Sequence, residues 1–205
     1  MAEEDSAATG RAPGAQGHGA VVDAAMALFA ARGWAATSRR DVAEAAGISF
    51  AELHAAFPTK VALLLRFVDG IDRAVLAAPP EAGASVREAL FEVFMRRFDA
   101  LQPHREAMAR LAREVPMDPS AACRVAMRAT RSIAAMAELA GVDVSGPLGA
   151  LRARALAGLH GWVLRAWLAD DTQDMARTMK ALDQGLARLE TLARSLPGAR
   201  RDRAA

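Results

Sequence analysis

The side chains that most often carry catalysis or bind metal ions are scattered in this sequence. Its four histidines and its single cysteine are His18, His54, His104, His160 and Cys123. None of them has the spacing of a metal site with another or with a carboxylate. Asp170-Asp171 comes just before a predicted helix, where the helix dipole favours negative charge, so a structural role is preferred to acid–base chemistry. The sequence also has no glycine-rich phosphate loop or nucleophile motif, and it predicts neither an enzyme nor a metal or organic cofactor.

Phosphate binding by arginine and lysine is the chemistry that the N-terminal quarter offers. Between residues 19 and 66 the basic side chains are Arg32, Arg39, Arg40, Lys60 and Arg66, and the acidic ones are Asp23, Asp41, Glu44 and Glu52. The net charge of the whole chain is only +2, unlike a strongly basic nucleic-acid-binding surface. Because neutralised phosphates supply most non-specific affinity for DNA, one copy should bind weakly, and a dimer would double the contacts.

Two short helices are predicted in the middle of this segment, and the first of them carries Arg39 and Arg40. Ser38 and Asp41 form a capping box before a helix over 39–46, and the tight turn Gly47-Ile48-Ser49 leads to a helix over 50–57. Two short helices joined by a glycine turn predict a helix-turn-helix.

A first helix must complete the core of this unit, because two short helices bury too little apolar surface to be stable alone. The pattern predicts that helix from Gly19, ended by a C-cap at Gly33, with Phe29 and Trp34 facing the core. A fourth, longer helix follows the cap at Thr59.

Residues 21–65 resemble the DNA-binding domain of the TetR family. The resemblance is carried by Asp23-Ala24-Ala25, Leu28-Phe29, Gly33-Trp34, Thr37, Asp41-Val42-Ala43, Ala46-Gly47-Ile48-Ser49, Leu53, Phe57-Pro58-Thr59-Lys60 and Leu63-Leu64. It implies an all-α fold of about nine helices with a variable C-terminal bundle, and a homodimer formed by the last two helices. The eight residues expected to contact double-stranded DNA are Thr37, Arg39, Arg40, Ser49, Phe50, Glu52, His54 and Lys60.

The second helix of the helix-turn-helix departs from the family pattern at three positions. Glu52 stands where Ser or Thr is usual, His54 where Tyr is usual, and Ala56 where a polar or aromatic residue is usual. A carboxylate facing phosphates costs affinity, although it can accept a hydrogen bond from cytosine N4. Glu52 is therefore expected either to read a cytosine or to turn away from the DNA backbone.

Five further helices are predicted beyond Ala77. They span 85–101, opened by a second capping box, 103–114, 118–140, 147–169 and 172–196. The chain is accordingly divided into a disordered tail over 1–18, a helix-turn-helix DNA-binding domain over 19–66, a ligand-binding and dimerisation domain over 67–196, and a basic tail over 197–205.

Methionines and aromatic residues of the C-terminal domain could line a flexible pocket for an apolar effector, because methionine adapts to irregular ligands. The seven candidates are Phe94, Met95, Phe98, Met108, Met127, His160 and Trp162. Plain core packing explains any single methionine or phenylalanine about as well. Trp162 could face either the pocket or the dimer seam.

A second resemblance keeps another function open. Segments 97–104 and 169–183 look like the TetR-like lipid-binding proteins of ubiquinone biosynthesis, which hold an isoprenoid or other lipid and are not known to bind DNA. The first function predicted is therefore a ligand-responsive dimeric transcriptional regulator, a repressor that binds palindromic DNA. The alternative is a lipid-binding protein of quinone metabolism.

Composition points to the cytoplasm. One cysteine excludes an intramolecular disulfide, and the first ten residues lack the basic start and apolar core of a secretory signal. The longest apolar run is too short to span a membrane.

Overall fold

A computed structural model describes residues 15–195, and within this range the chain forms nine α-helices and no strand. The helices are α1 (Ala15–Arg32), α2 (Arg39–Ala45), α3 (Phe50–Ala56), α4 (Lys60–Leu76), α5 (Val86–Leu101), α6 (Arg105–Glu114), α7 (Pro119–Leu139), α8 (Gly146–Leu168) and α9 (Ala176–Ser195). Short 3-10 turns at Gln102–His104 and Val115–Met117 flank α6. The predicted all-helical fold of about nine helices is confirmed within this range.

Three helix starts differ from the sequence prediction. The first helix begins at Ala15, inside the segment predicted to be disordered, and the His18 ring packs edge-on against Phe57 at 5.5 Å. The rest of the predicted N-terminal tail, residues 1–14, and the predicted basic tail, residues 197–205, lie outside the described residues. α6 begins at Arg105 rather than Pro103, because a 3-10 turn contains Pro103.

The last helix begins at Ala176 rather than residue 172, because the carboxylate of Asp170 organises the connection from α8. This buried carboxylate accepts hydrogen bonds from the amides and hydroxyls of Thr172 and Thr178. Burial raises its pKa, but the hydrogen bonds outweigh burial and hold the pKa of Asp170 well below its usual range. The structural role predicted for this carboxylate matches its position at a helix start.

The first three helices form a small domain, here called the head. Its core contains Phe29, Trp34, Val42 and Leu53, all less than 5% exposed. Gly33 ends α1 with a φ of +86°, a left-handed conformation that glycine adopts without strain. The predicted C-cap and the predicted core residues are thus present.

Two connections join the head to the rest of the chain, here called the body. α4 starts in the head at Lys60, and its later turns pack on α5 and α7. α6 packs on α1, and the Glu114 carboxylate accepts a hydrogen bond from the amide of Ala35 at 3.0 Å.

The body is a helical bundle whose core includes Phe94, Phe98, Met136, Trp167 and Leu182, each fully buried. α8 and α9 lie side by side at its edge. None of the helices in residues 15–195 is long and apolar enough to cross a membrane.

Candidate nucleic-acid interface

The helix-turn-helix is built as its sequence predicts. Ser38 and Asp41 form the expected capping box, with the Ser38 amide donating to the Asp41 carboxylate at 2.7 Å. Gly47 follows α2 with a φ of +66°, and the amide of Ile48 closes the turn on the carbonyl of Ala43 at 3.0 Å. This left-handed residue turns the chain so that α3 crosses α2.

One face of α3 is buried in the head and the opposite face is exposed. Leu53 is fully buried. The exposed face carries Phe50, Ala51, His54 and Ala55, at the spacing that groups residues on one side of a helix. Two of the four are alanine, so the helix backbone can approach a groove closely there.

Arg39 of α2 contacts two residues of this exposed face, His54 and Phe50. Its Nη1 donates to Nδ1 of His54 at 2.9 Å and to the carbonyl of Phe57 at 3.2 Å. Its guanidinium lies 5.2 Å from the ring centre of Phe50, which stacks on His54 at 6.2 Å. Because arginine can only donate, Nδ1 of His54 accepts, so this geometry belongs to a neutral imidazole whose proton is on Nε2.

Glu52 caps the start of its own helix, a role that was not predicted for it. Its Oε2 accepts hydrogen bonds from the Ser49 amide at 2.8 Å and the Ser49 hydroxyl at 2.7 Å, and its own amide donates to that hydroxyl. These hydrogen bonds lower the pKa of Glu52. Glu52 and Ser49 are therefore the capping box of α3. The three-residue spacing that predicts the capping boxes at Ser38 and Ser85 is also present at Ser49.

Two candidate DNA contacts point into the protein instead. The hydroxyl of Thr37 is buried and donates to the carbonyl of Gly33 at 2.7 Å. Lys60 donates to the carbonyls of Trp34 at 2.5 Å and Thr37 at 3.0 Å, and its Nζ lies 4.4 Å from the Trp34 ring centre. Burial lowers the pKa of Lys60, although nearby Asp118 and Glu114 oppose this. For Thr37 the expected side-chain contact is corrected, because the hydroxyl is inside the head.

The remaining basic groups of the interface lie on α1 and α2. Arg40 is exposed. Arg32 is also exposed and lies 4.0 Å from the Asp41 carboxylate. The two capping carboxylates, Asp41 and Glu52, sit at the helix N-termini where phosphate would otherwise find free amides.

Three of the seven candidate pocket residues meet inside the body. The His160 ring stacks on Phe98 with a centroid distance of 5.2 Å and meets Phe94 edge-on at 5.8 Å. Met95 and Met108 are half-buried against the same core.

The other two candidates lie on the outside, which corrects their assignment to a pocket. Met127 is 53% exposed, because it shares the outer face of α7 with Cys123 and Arg131, each four residues away. Trp162 is 41% exposed on α8, beside Gly185 of α9.

The large cavity of the body is an open groove of about 1550 Å³. It lies among the start of α5, the α7–α8 connection, the first turns of α8 and the last turns of α9. Its lining includes Leu90, Leu148, Leu151, Leu156 and Leu189, and none of the seven candidates. Among residues 15–195 there is no group of three or more side chains that could hold a metal ion.

Comparison with known proteins agrees with this architecture. Residues 21–67 match the family described as bacterial regulatory proteins, tetR family. No curated protein is significantly similar in sequence.

Solved structures resemble nearly the whole chain. A TetR transcriptional regulator from Nitrosomonas europaea is similar with a TM-score of 0.69 at 21% identity, over 85% of this chain and 98% of that one. A TetR transcriptional regulator from Rhodococcus sp. has a TM-score of 0.58 at 20% identity, over 85% and 97%. Salmonella enterica GusR has a TM-score of 0.60 at 21% identity, over 85% and 95%. Residues 21–67 are therefore similar to the tetR family of bacterial regulatory proteins, and the chain has the TetR-like fold.

Proposed function

We propose that this protein is a cytoplasmic repressor of transcription that binds palindromic DNA as a homodimer and responds to an apolar small molecule. The exposed face of α3, with Arg39 holding His54 beside Phe50, is the observation that carries the proposal. In this arrangement α3 enters the major groove, and two heads read half-sites about one helical turn or more apart.

Each group on the exposed face has a chemical role against DNA. Nε2–H of His54 donates to an acceptor on a base edge, such as guanine O6 or N7, while the methyl groups of Ala51 and Ala55 suit thymine methyl groups. Arg40 binds a phosphate. Lys60, whose ammonium has a third N–H besides the two that hold the head, remains a candidate phosphate contact at the start of α4.

The homodimer is proposed to form through α8 and α9. α8 exposes Leu148, Leu151 and Trp162, and α9 exposes Leu192. A second copy would cover these side chains in a four-helix seam and, because Leu148, Leu151 and Leu192 also line the groove, would close its open side over a bound molecule. Light scattering at micromolar concentration should give the mass of a dimer. Leu151→Glu, which changes an exposed side chain, should give a folded monomer, whereas a wild-type monomer would contradict the seam.

Effector response is supported by the two connections between head and body. A ligand that moves α5, α7 or α8 changes the position of α4, and α6 transmits a second movement to the head because it packs on α1 and its Glu114 binds the amide of Ala35. Such movements change the spacing of the two heads in a dimer, and with it the affinity for a palindrome.

Selection of random duplexes by the purified dimer at low salt, followed by sequencing, tests the DNA function. We expect a palindrome to be enriched. Arg40→Ala should weaken binding to every duplex and reduce the salt slope by about 0.9 for each phosphate that the variant no longer neutralises. His54→Gln should instead change the preference at one position of each half-site, by about 1–3 kcal/mol.

The lipid-binding alternative is favoured by one observation. Asp41 and Glu52 place carboxylates at the starts of α2 and α3, and Lys60 is held inward, so the head presents little free positive charge. If the selection enriches no duplex and an isoprenoid co-purifies with the protein by mass spectrometry, the lipid-binding function replaces the regulator.

A further inference from the structure

A buried cluster of charged and polar side chains joins three helices of the body. Arg97 of α5 pairs with Asp72 of α4, and Ser132 of α7 donates to the same Asp72 carboxylate. The other oxygen of Asp72 pairs with Arg128 of α7 at 2.7 Å, and Arg128 also binds Asp69 of α4. Asp72 and Arg97 are both less than 9% exposed, so this cluster is part of the interior.

Two nitrogen atoms beside this cluster have no hydrogen-bond partner among the described residues. They are Nε of Arg97 and Nε2 of His160, and both are fully buried. Arg97 uses Nη1 for Asp72 and Ser132, so its Nε–H is a spare donor. Leaving such groups unpaired costs about 1–3 kcal/mol each, more for a charged group, and a ligand that pairs them recovers this free energy.

His160 is neutral and lies in an aromatic setting. Burial, together with the charge of Arg97, lowers the pKa of His160 to about 3. Phe98 stacks on one side of its ring and Phe94 meets it edge-on. A neutral imidazole can carry its proton on Nε2, which makes Nε2 a second donor beside Arg97.

The lining of the groove comes within one helical turn of Phe94 and His160. Leu90 and Leu156 line the groove, and each stands four residues before Phe94 and His160 on the same helix face. Leu90 and Leu156 are buried, so an apolar molecule in the groove would have to displace them to bring a polar end toward Arg97 and His160.

We propose that the body binds an apolar molecule that carries one carboxylate, and that Arg97 and His160 bind the carboxylate. A carboxylate fits because it accepts two N–H donors at once and a guanidinium is its strongest partner in proteins. This inference rests on the proposed effector response and adds the chemical class of the effector, which sequence analysis expected only to be apolar.

Binding at this site has a direct route to the head. The ligand becomes a second carboxylate on Arg97, so the guanidinium is shared between the ligand and Asp72. Asp72 belongs to α4, the helix that starts in the head at Lys60. Weakening the Arg97–Asp72 pair frees the middle of α4 to shift.

Calorimetric titration of the purified full-length protein at pH 7 with sodium decanoate and with its methyl ester tests the carboxylate. We expect the ester to bind at least tenfold more weakly. His160→Phe keeps an aromatic ring and removes the nitrogen, and it should weaken decanoate at least tenfold. Met127→Ala, on the outer face of α7, should leave the affinity unchanged. Equal binding of acid and ester, or no binding of decanoate, would overturn the proposal.

Nuclear magnetic resonance locates the site. The sequence has four histidines, so the imidazole signal of His160 is identified by its loss in the His160→Phe variant. Decanoate should shift this signal, and an unmoved His160 signal would contradict the site.

Two further measurements keep the test interpretable. Because Arg97→Met alone leaves Asp72 buried without a partner, the double variant Asp72→Asn/Arg97→Met should be used, and it should lose the preference for acid over ester. Duplex binding is measured on the same preparations. A wild-type protein that binds its palindrome but shows no preference for the acid refutes this inference alone, whereas a wild-type protein that binds no duplex refutes the proposed function.

Discussion

The head and the body use carboxylates in opposite ways. In the head, Asp41 and Glu52 are partly exposed and accept hydrogen bonds from a serine three residues earlier in the chain. In the body, Asp72 is buried and its partners, Arg97 and Ser132, are 25 and 60 residues away. The first arrangement starts a helix, and it depends only on residues that are close together in the sequence. The second holds separate helices together, and it concentrates charge where a ligand can compete for it.

The largest effect is expected from breaking the buried pair. Asp72→Ala should lower the free energy of unfolding by about 3–5 kcal/mol, because it leaves the charge of Arg97 buried without its partner. Urea denaturation followed by circular dichroism measures the loss. Asp69→Ala is the matched control on the same helix. The Asp69 side chain is 40% exposed, so we expect a loss of about 0–1 kcal/mol. Equal losses in the two variants would show that the buried Asp72 carboxylate contributes no more to stability than the exposed Asp69 carboxylate.

The pH dependence of stability should come partly from His160. Its pKa is about 3 in the folded chain, against about 6.5 in an unfolded one. Below pH 6.5 the unfolded state takes up a proton that the folded state does not, so stability falls as the pH is lowered from 6.5 toward 3. At pH 5 this amounts to about 2 kcal/mol.

The measurement compares urea denaturation of the wild type and of His160→Gln at pH 7 and pH 5. The variant should lose about 2 kcal/mol less than the wild type over this interval. The other three histidines are present in both proteins, so the difference isolates His160. Identical pH dependence would mean that His160 is solvated or paired in solution.

What could be predicted from sequence follows the same division. The helices and the capping boxes at Ser38 and Ser85 were predictable, because a cap depends on two residues three apart. The box of Ser49 and Glu52 has the same signal, but Glu52 was considered only in relation to DNA, either reading a cytosine or turned away from the DNA backbone. The capping role of Glu52 could therefore have been predicted from the sequence.

The pocket residues show where sequence patterns stop being informative. Phe94 and Phe98 are four residues apart, so they could be predicted to share one face of a helix, whereas no local pattern indicates that His160 of α8 meets them. Met127 and Trp162 are equally apolar and lie outside, and their positions depend on how α7 and α8 rotate against their neighbours. The cluster around Asp72 has no local signal at all, since its members come from three helices far apart in the chain.

The smallest effect, and the sharpest test of the head, concerns the cap of α3. Glu52→Gln keeps an oxygen that can accept from the Ser49 amide but removes the negative charge. Its loss of stability should stay below about 1 kcal/mol, and its affinity for any duplex at low salt should rise, because a like charge near the phosphates is gone. Ser49→Ala loses the cap and keeps the charge of Glu52, so it should cost about 1 kcal/mol of stability without this gain in affinity.

The two variants separate the capping role from base reading. If Glu52 only caps α3, the sequence preference found by duplex selection is the same for Glu52→Gln as for the wild type, and only the overall affinity changes. If Glu52 leaves Ser49 on binding and accepts a hydrogen bond from cytosine N4, Glu52→Gln changes the preference at one position of each half-site by about 1–3 kcal/mol. The hydrogen bonds of 2.7 and 2.8 Å to Ser49 favour the first outcome, because base reading would require both to break.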